Sequence, residues 1–178
     1  MKPSPIQAKH IGFYSVEVTP RKLEDDENSG SSFDWNGVVI GSPVKHFSVG
    51  EDPYSKIVTL DIIVKNQEGK RKAPYNIEIS SWGVFDCLNQ STPENDALDL
   101  IVVNGASMLY GAIRELLYSL TLRMTNSELL LPTGNFLDSK PSLKEHNQSS
   151  TTKTNLETQE PSQSNKKKST TSRTKNKS

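Results

Sequence analysis

Residues 105–136 read GASMLYGAIRELLYSLTLRMTNSELLLPTGNF, a long apolar segment followed by a polar break, three consecutive leucines and a proline turn. Large apolar residues in the first half recur with the 3.6-residue period of an α-helix. This pattern predicts a helix from about Asn104 to Met124 with one wide apolar face. That face contains Leu109, Ile113, Leu116, Leu117, Leu120 and Met124.

The back of this predicted helix is unusual, because only Arg114 and Glu115 are charged in its middle turns. A helix with water along its back normally carries more charge. We therefore predict that a second stripe of small and amphipathic residues packs against the same helix of another subunit, in a homo-oligomer. The predicted interface consists of Ser107, Gly111, Tyr118 and Thr121, with Ile77 and Ile79 from a preceding strand.

The sequence before the helix has the two-residue period of β-strands. The segments YSKIVTLDIIVKN (54–66) and YNIEISSWGVFDCL (75–88) alternate apolar and polar residues, which predicts a long hairpin with a bulge or strong twist near residues 81–83. Two weaker strands precede this hairpin, KHIGFYSVEV (9–18) and WNGVVIGSPVKHFSV (35–49). Pro43 cannot donate a ladder hydrogen bond, so the second of them belongs at an edge or a bend.

The segment STPENDALDL (91–100) has the start signals of a short separate helix, with Ser91 or Thr92 as its cap. The order of the elements is therefore four strands, a short helix and a long helix. Strands followed by helices are typical of the α+β class. We predict a single α+β domain.

The net charge of zero over 178 residues hides a difference between the two ends of the chain. Residues 1–138 contain 12 Lys/Arg and 18 Asp/Glu, whereas residues 139–178 contain 9 and 3. The second segment has only Leu143 and Leu156 as large apolar residues, too few to offset the entropy cost of ordering. We predict one acidic domain, residues 1–138, and a disordered basic tail, residues 139–178.

Compartment and membrane association can also be predicted. Cys87 is the only cysteine, which excludes an intrachain disulfide and favours a reducing compartment. The N-terminal residues lack the apolar core of a signal peptide. Arg114 and Glu115 lie in the middle of the apolar helix, where charge in a bilayer is expensive. We expect a soluble cytoplasmic protein without membrane insertion.

Signals for catalysis are poor. His10, His46 and His146 lack metal-ligand spacing, and no glycine-rich phosphate loop is visible. We predict no catalytic residue, no metal and no cofactor, and therefore no enzyme. The basic tail could contact nucleic acid, but it contains no aromatic residue to stack on bases, so no specific nucleic-acid partner is expected.

Apolar and aromatic residues outside the regular elements are more informative. Phe33 and Trp35 lie in or beside a loop, and Leu129, Leu130 and Leu131 follow the helix. Such residues either complete the core or line a groove for another chain. Composition alone favours the core.

Residues 75–136 resemble the SecB family of protein-export chaperones. In that family a strand with a Gly-x-Phe motif leads through a short helix into a long one that begins with Asn. An Arg-Glu pair, another arginine and a Leu-x-Leu-x-Pro-x-Asn-Phe turn follow, which this sequence matches in order and nearly in spacing. The matching residues are Gly83, Phe85, Asn104, Arg114, Glu115, Arg123, Leu129, Leu131, Pro132, Asn135 and Phe136.

This resemblance, which extends more weakly over residues 8–138, implies a four-stranded antiparallel sheet with the long C-terminal helix on one face. It also implies a dimer of dimers that holds unfolded clients, preproteins or an antitoxin, without ATP. The client-binding residues implied are Phe33, Trp35, Val38, Ile40, Leu129 and Leu131.

The sequence departs from the family in three ways. LDSKPSLKEHNQ (137–148) has no helical pattern, so the second helix that walls the family's groove is short or absent. Family members dock the motor SecA through acidic residues on the sheet; Glu78 matches one of these, but the acid of the first strand is not clearly matched. The basic tail is also longer. These departures indicate a divergent SecB-like protein.

Two other functions fit the same sequence. An oligomeric adaptor or scaffold would recognise one folded partner with the same sheet. A nucleic-acid-associated protein would act through the tail. A chaperone differs from an adaptor in suppressing the aggregation of several unrelated unfolded proteins.

Overall fold

A computed structural model describes residues 3–23, 33–68 and 70–143. Its strands are β1 (Ile6–Pro20), β2 (Val44–Val49), β3 (Asp52–Val64) and β4 (Tyr75–Cys87), and its helix is α1 (Glu94–Thr121). The strands form one antiparallel sheet in the order β1-β4-β3-β2, and α1 packs mainly on β3 and β4. The predicted α+β class, with a four-stranded antiparallel sheet and a long helix on one face, is confirmed.

The predicted hairpin is β3 paired with β4, and its alternation is regular over ten residue pairs. Every second residue of β4, and of β3 from Val58 onward, faces α1 and is buried. These inward positions include Val58, Leu60, Ile62, Val64, Tyr75, Ile77, Ile79 and Phe85. The core is therefore a single layer of aliphatic and aromatic side chains between the sheet and the helix.

The bulge predicted near residues 81–83 of β4 is wrong. Ser81 and Gly83 are buried on the face that packs against α1, and β4 stays in register with β3 throughout. The apparent change of face arose because these inward positions are small, since the ring of Phe85 occupies the space that a side chain at Gly83 would need. The irregularities lie on β1 instead, at Lys9 and Tyr14.

The prediction of two helices is also wrong, because α1 is continuous from Glu94 to Thr121. Neither Ser91 nor Thr92 caps it; the residue before the helix is Pro93, which makes no side-chain capping bond. Asn104 donates a hydrogen bond to Leu100 O inside the helix. In sequence, Asn104 and Gly105 look like the boundary between two helices. In the structure Gly105 lies inside α1, where it allows close contact with Val58 and Phe85.

By length and composition α1 could cross a membrane, but the apolar side of the helix is buried against the sheet. A buried row of every fourth residue faces β3 and β4, with small residues near its start that let the helix approach the strands. The row is Ala97, Ile101, Gly105, Leu109, Ile113, Leu117 and Thr121.

After α1 the chain runs back along the helix without regular structure and reaches a 3-10 turn at Leu137–Ser139. A helical turn begins at Pro141, and the Ser142 hydroxyl donates to an oxygen of Asp99 on α1 at 2.5 Å. The predicted tail, residues 139–178, lies outside the described residues beyond Leu143.

Candidate functional site

Residues 126–136, here named the strap, run along α1 without regular secondary structure. Leu129 and Leu131 are buried in the core, whereas Leu130 between them is 47% exposed. The first residue of the strap is held firmly: the Asn126 side-chain amide donates to Arg21 O at 3.0 Å and to Pro74 O at 2.7 Å. The strap therefore starts at a fixed point and places alternate side chains in the core and in solvent.

Side chains from three parts of the fold bind the strap backbone. The indole N–H of Trp35 donates to Leu130 O at 2.8 Å, and Arg114 Nε donates to Leu131 O at 2.9 Å. The remaining bonds join Tyr110 OH to Pro132 O (2.5 Å), Leu129 N to Thr121 Oγ1 (2.9 Å), and Tyr75 OH to Asn126 O (2.8 Å). Burial raises the pKa of Tyr110 although Arg114 lies nearby, which keeps this hydroxyl a donor.

The loop before β2 meets the strap through Trp35. Phe33 and Trp35 touch edge to face, with ring centroids 5.2 Å apart, and the Arg71 guanidinium lies 5.4 Å from the centre of the Phe33 ring. These two residues, with Val38 and Ile40, are half-buried against the core, while Val39 is exposed. The structure thus brings four of the six predicted client-binding residues into one loop that contacts the strap.

The assignment of Leu129 and Leu131 to an exposed client-binding surface is wrong. Their side chains are 0% and 1% exposed, because the strap turns both of them toward α1. Leu130 is the leucine that another chain can reach. The run of three leucines gave no signal in sequence for which member faces outward.

β2 lies at one edge of the sheet, as Pro43 predicted. The edge continues past the strand, since Gly41 exchanges two backbone hydrogen bonds with Ile63 at 2.8 and 2.9 Å. Phe47 on β2 is 52% exposed. An open strand edge with apolar side chains beside it can pair with another extended chain.

β1 forms the other edge of the sheet, and its surface was not recognised from sequence. Ile11, Phe13 and Val16 are paired with inward-facing residues of β4 but remain exposed, because α1 packs mainly on β3 and β4 and only in part on β1. Fifteen residues make this the longest strand of the sheet. The sequence predicted β1 only as one of two weaker strands, and the position of the helix over β3 and β4 is what leaves these side chains exposed.

The solvent face of the sheet carries an aromatic cluster around Trp82. His10 and Tyr14 lie on either side of it in the structure, with ring centroids 4.8 and 5.8 Å from the indole. Trp82 Nε1 is 2.8 Å from where a Cβ on Gly12 would lie, so the missing side chain makes room for the indole. The irregularity at Tyr14 turns an extra side chain toward this face.

A polar group adjoins this cluster. The Lys9 ammonium pairs with Asp86, and the buried Ser55 hydroxyl donates to Asp86 Oδ1 at 2.7 Å. Burial, the largest single influence, raises the pKa of Asp86. The hydrogen bonds from Lys9 and Ser55 together outweigh it and hold the pKa below its ordinary value. As a carboxylate, Asp86 on β4 therefore binds a side chain on each neighbouring strand, Lys9 on β1 and Ser55 on β3.

The predicted oligomer interface is corrected in part. Ile77, Ile79 and Thr121 have at most 1% of their surface exposed, because all three face the core, so they offer nothing to another subunit. Ser107, Gly111 and Tyr118 are exposed on the back of α1. Leu100 and Leu122 extend the same row toward the two ends of the helix.

Glu78 is exposed on the solvent face of the sheet, and its partner across the β1–β4 ladder is Glu17, also exposed. The Lys65 ammonium lies 3.3 Å from the Glu78 carboxylate. Glu17 is thus an acidic residue of the first strand that sequence comparison did not single out. Within residues 3–23, 33–68 and 70–143 no three His, Cys, Asp or Glu side chains are grouped as a metal site would require.

No family model and no curated protein matches the chain. Among solved structures, a SecB-like chaperone of Mycobacterium tuberculosis, in complex with a ChAD peptide from the HigA1 antitoxin, is 19% identical over 71% of this chain and 88% of its own, with a TM-score of 0.46. A protein of unknown function from Streptococcus agalactiae is 14% identical over 71% of this chain and 96% of its own, with a TM-score of 0.43. Both likenesses concern the fold alone.

Proposed function

We propose that the chain is an ATP-independent holdase that binds unfolded or non-native polypeptides. The observation that carries this proposal is the surface where the Trp35 loop, the β2 edge and the strap meet. Exposed Leu130 lies beside Trp35, and exposed Val39 belongs to the loop that carries the half-buried Phe33 and Trp35 and leads to the β2 edge. We assign client binding to Phe33, Trp35, Val38 and Ile40 together with Val39 and Leu130.

This surface suits the chemistry of an unfolded chain. Non-native polypeptides expose aliphatic and aromatic side chains together with unpaired backbone groups, and a strand edge beside apolar side chains can satisfy both. Such contacts do not depend on one client sequence, because the backbone bonds are common to all chains. Nothing in this binding mode requires a nucleotide.

We also propose a dimer of dimers, because two distinct surfaces are available for it. A tetramer of this kind needs two different self-complementary interfaces. The first is the β1 edge with exposed Ile11, Phe13 and Val16, where two sheets could join strand to strand. The second is the exposed row on the back of α1 around Gly111 and Tyr118, where, among the described residues, nothing beyond the neighbouring turns of the helix lies within 4 Å of a Cβ built on Gly111.

Holding clients in the cytoplasm serves either the export of preproteins or the protection of an antitoxin. Docking to SecA separates these roles, and Glu17 and Glu78 are the pair that we assign to it. Export predicts that the chain binds SecA and that Glu17→Gln with Glu78→Gln weakens this binding. Absence of SecA binding in the unaltered protein supports the antitoxin role.

An adaptor for one folded partner remains the second candidate, and a specific observation favours it. The rings of His10, Tyr14 and Trp82 pack together in a cluster on the solvent face of the sheet. Aromatic anchors are typical of interfaces that recognise one partner. Tyr14→Ala would abolish partner binding by an adaptor and leave a holdase active.

The test of the proposed function is the suppression of aggregation, without ATP, for several unrelated proteins diluted from denaturant at stoichiometric ratios. Leu130→Ser is expected to weaken the suppression several-fold while leaving thermal stability unchanged, because the side chain is largely exposed. Leu88→Ser is the matched control, since Leu88 lies directly after β4 and is 60% exposed. No suppression by the unaltered protein, or equal loss in both variants, would overturn the proposal.

A further inference from the structure

The strap is bound as a peptide would be bound. In the part of the chain that the structure describes, the hydrogen bonds of its central residues 129–132 to the rest of the fold all go to side chains. Trp35, Tyr110, Arg114 and Thr121 supply these bonds. The backbone of the strap is therefore bonded to side chains and not to the backbone of a neighbouring strand or helix, as the backbone of a bound peptide can be.

Its side chains follow the same pattern. Leu129 and Leu131 enter the core and Leu130 points to solvent, which is the alternation of an extended chain. The binding site beneath the strap thus accepts two large aliphatic side chains separated by one residue. Unfolded polypeptides present this spacing whenever they are extended.

The position of the strap allows it to leave. Its outer side is open to solvent at Leu130, Thr133 and Asn135, so no other layer has to move first. It follows the last helix of the core, and neither the sheet nor α1 depends on it for connection. Segments with few backbone bonds of this kind are the first to open in native proteins.

We propose that the strap is an internal occupant of a second polypeptide-binding site, and that non-native clients with large aliphatic residues two positions apart bind there by displacing it. The inference rests on the proposed holdase function and deepens it. The same four side-chain groups that hold the strap would then hold the client backbone.

The probe is a synthetic peptide with the strap sequence SELLLPTGNF, residues 127–136, added to the full chain. Binding is followed by fluorescence anisotropy of a dye on the peptide, and strap opening by amide hydrogen exchange at Leu129, whose N–H is bonded to the buried Thr121 hydroxyl. We expect saturable binding together with at least tenfold faster exchange of this amide. A peptide with Leu130→Ser should bind equally well, whereas Leu129→Ser with Leu131→Ser should abolish binding.

A variant of the protein gives a second readout. Leu131→Ala weakens the strap in place without altering the residues that bind it, so the added peptide should bind this variant several-fold more tightly. If that variant fails to fold, the comparison of the three peptides on the unaltered protein still decides the matter. Binding without faster exchange, or binding that is indifferent to Leu129 and Leu131, would overturn the inference.

Two further outcomes are distinguishable. Strap exchange that rises with protein concentration in the absence of peptide would mean that the straps of two copies swap, which contradicts a client site. Intact suppression of aggregation with no peptide binding would refute strap displacement and leave the proposed function standing.

Discussion

Phe85 shows how single residues join the sheet to the helix. Its ring lies against Gly83 on its own strand and against Gly105 on α1, so that the two glycines frame one aromatic side chain. The two positions differ in what surrounds them. A Cβ on Gly83 would lie 2.8 Å from the backbone oxygen of His10, whereas a Cβ on Gly105 meets only side-chain atoms, at 3.0 Å and beyond.

This difference predicts that alanine destabilises the protein much more at Gly83 than at Gly105. Gly83→Ala is expected to lower the free energy of unfolding by about 1–3 kcal/mol, because the backbone of β1 cannot move away. Gly105→Ala should change it by less than about 1 kcal/mol, since the helix propensity of alanine offsets the tighter packing. Urea unfolding of both variants measures the contrast, and equal losses would contradict it.

Asp86 predicts a pH dependence. Its pKa is held below the ordinary value of 3.8 by Lys9 and Ser55 in spite of burial, so the folded state binds this proton more weakly than the unfolded state does. The stabilisation is therefore fully present above about pH 3.8 and is lost as the pH falls through the lower folded value. In Asp86→Asn, the free energy of unfolding should therefore fall less steeply as the pH is lowered below about 3.8. An unchanged slope would show that other carboxylates dominate.

Among the elements, α1 and the strap are coupled through Thr121. Its hydroxyl donates to Leu117 O at 2.9 Å and accepts the Leu129 N–H, so one buried group ends the helix and fixes the strap. The helix stops there without a glycine. The last carbonyls of the helix are paired by the turn that follows it, since Leu122 N donates to Tyr118 O and Met124 N donates to Thr121 O, both at 3.1 Å.

Thr121→Val is therefore expected to destabilise the protein by about 1–3 kcal/mol, because it leaves the buried Leu129 N–H without its acceptor. Thr121→Ser keeps the hydroxyl and serves as the control, with the smaller loss of one methyl group. Denaturant unfolding measures the free energies, and amide exchange at Leu129 shows whether the strap loosens. Equal stability of the valine and serine variants would rule out the hydrogen bond as the cause.

For the molecule as a whole, the arrangement of exposed surfaces matters more than the core. One face of the sheet is covered by α1, and the described residues leave both strand edges and the back of the helix open. A chain of this size with two long open edges is prone to pair with other chains. Self-association and client binding are two uses of the same kind of surface.

The oligomer prediction belongs here. Tyr118→Lys or Gly111→Leu should halve the mass of the assembly measured by light scattering at micromolar concentration. The change places charge or bulk on the exposed row of α1 without touching the core. Leu88→Lys alters an exposed residue away from α1 and should leave the mass unchanged. A monomeric unaltered protein would refute both proposed interfaces.

Local sequence patterns were sufficient for the elements whose two sides differ in polarity. The alternation in β3 and β4, the apolar period of the helix and Pro43 at an edge all depend on residues close together in the chain. Physical rules of strand and helix geometry convert such patterns directly into buried and exposed sides. The strands, their hairpin and the α+β class followed from these patterns.

Long-range packing settled the rest. Whether Leu129 or Leu130 is buried depends on where the strap meets α1, and the use of Gly105 as a contact point inside α1 depends on Val58 and Phe85 of the sheet. Ile11, Phe13 and Val16 of β1 are exposed because the helix packs mainly on β3 and β4. Each of these outcomes depends on which distant segment covers a side chain. The residues adjacent in sequence do not determine which segment that is.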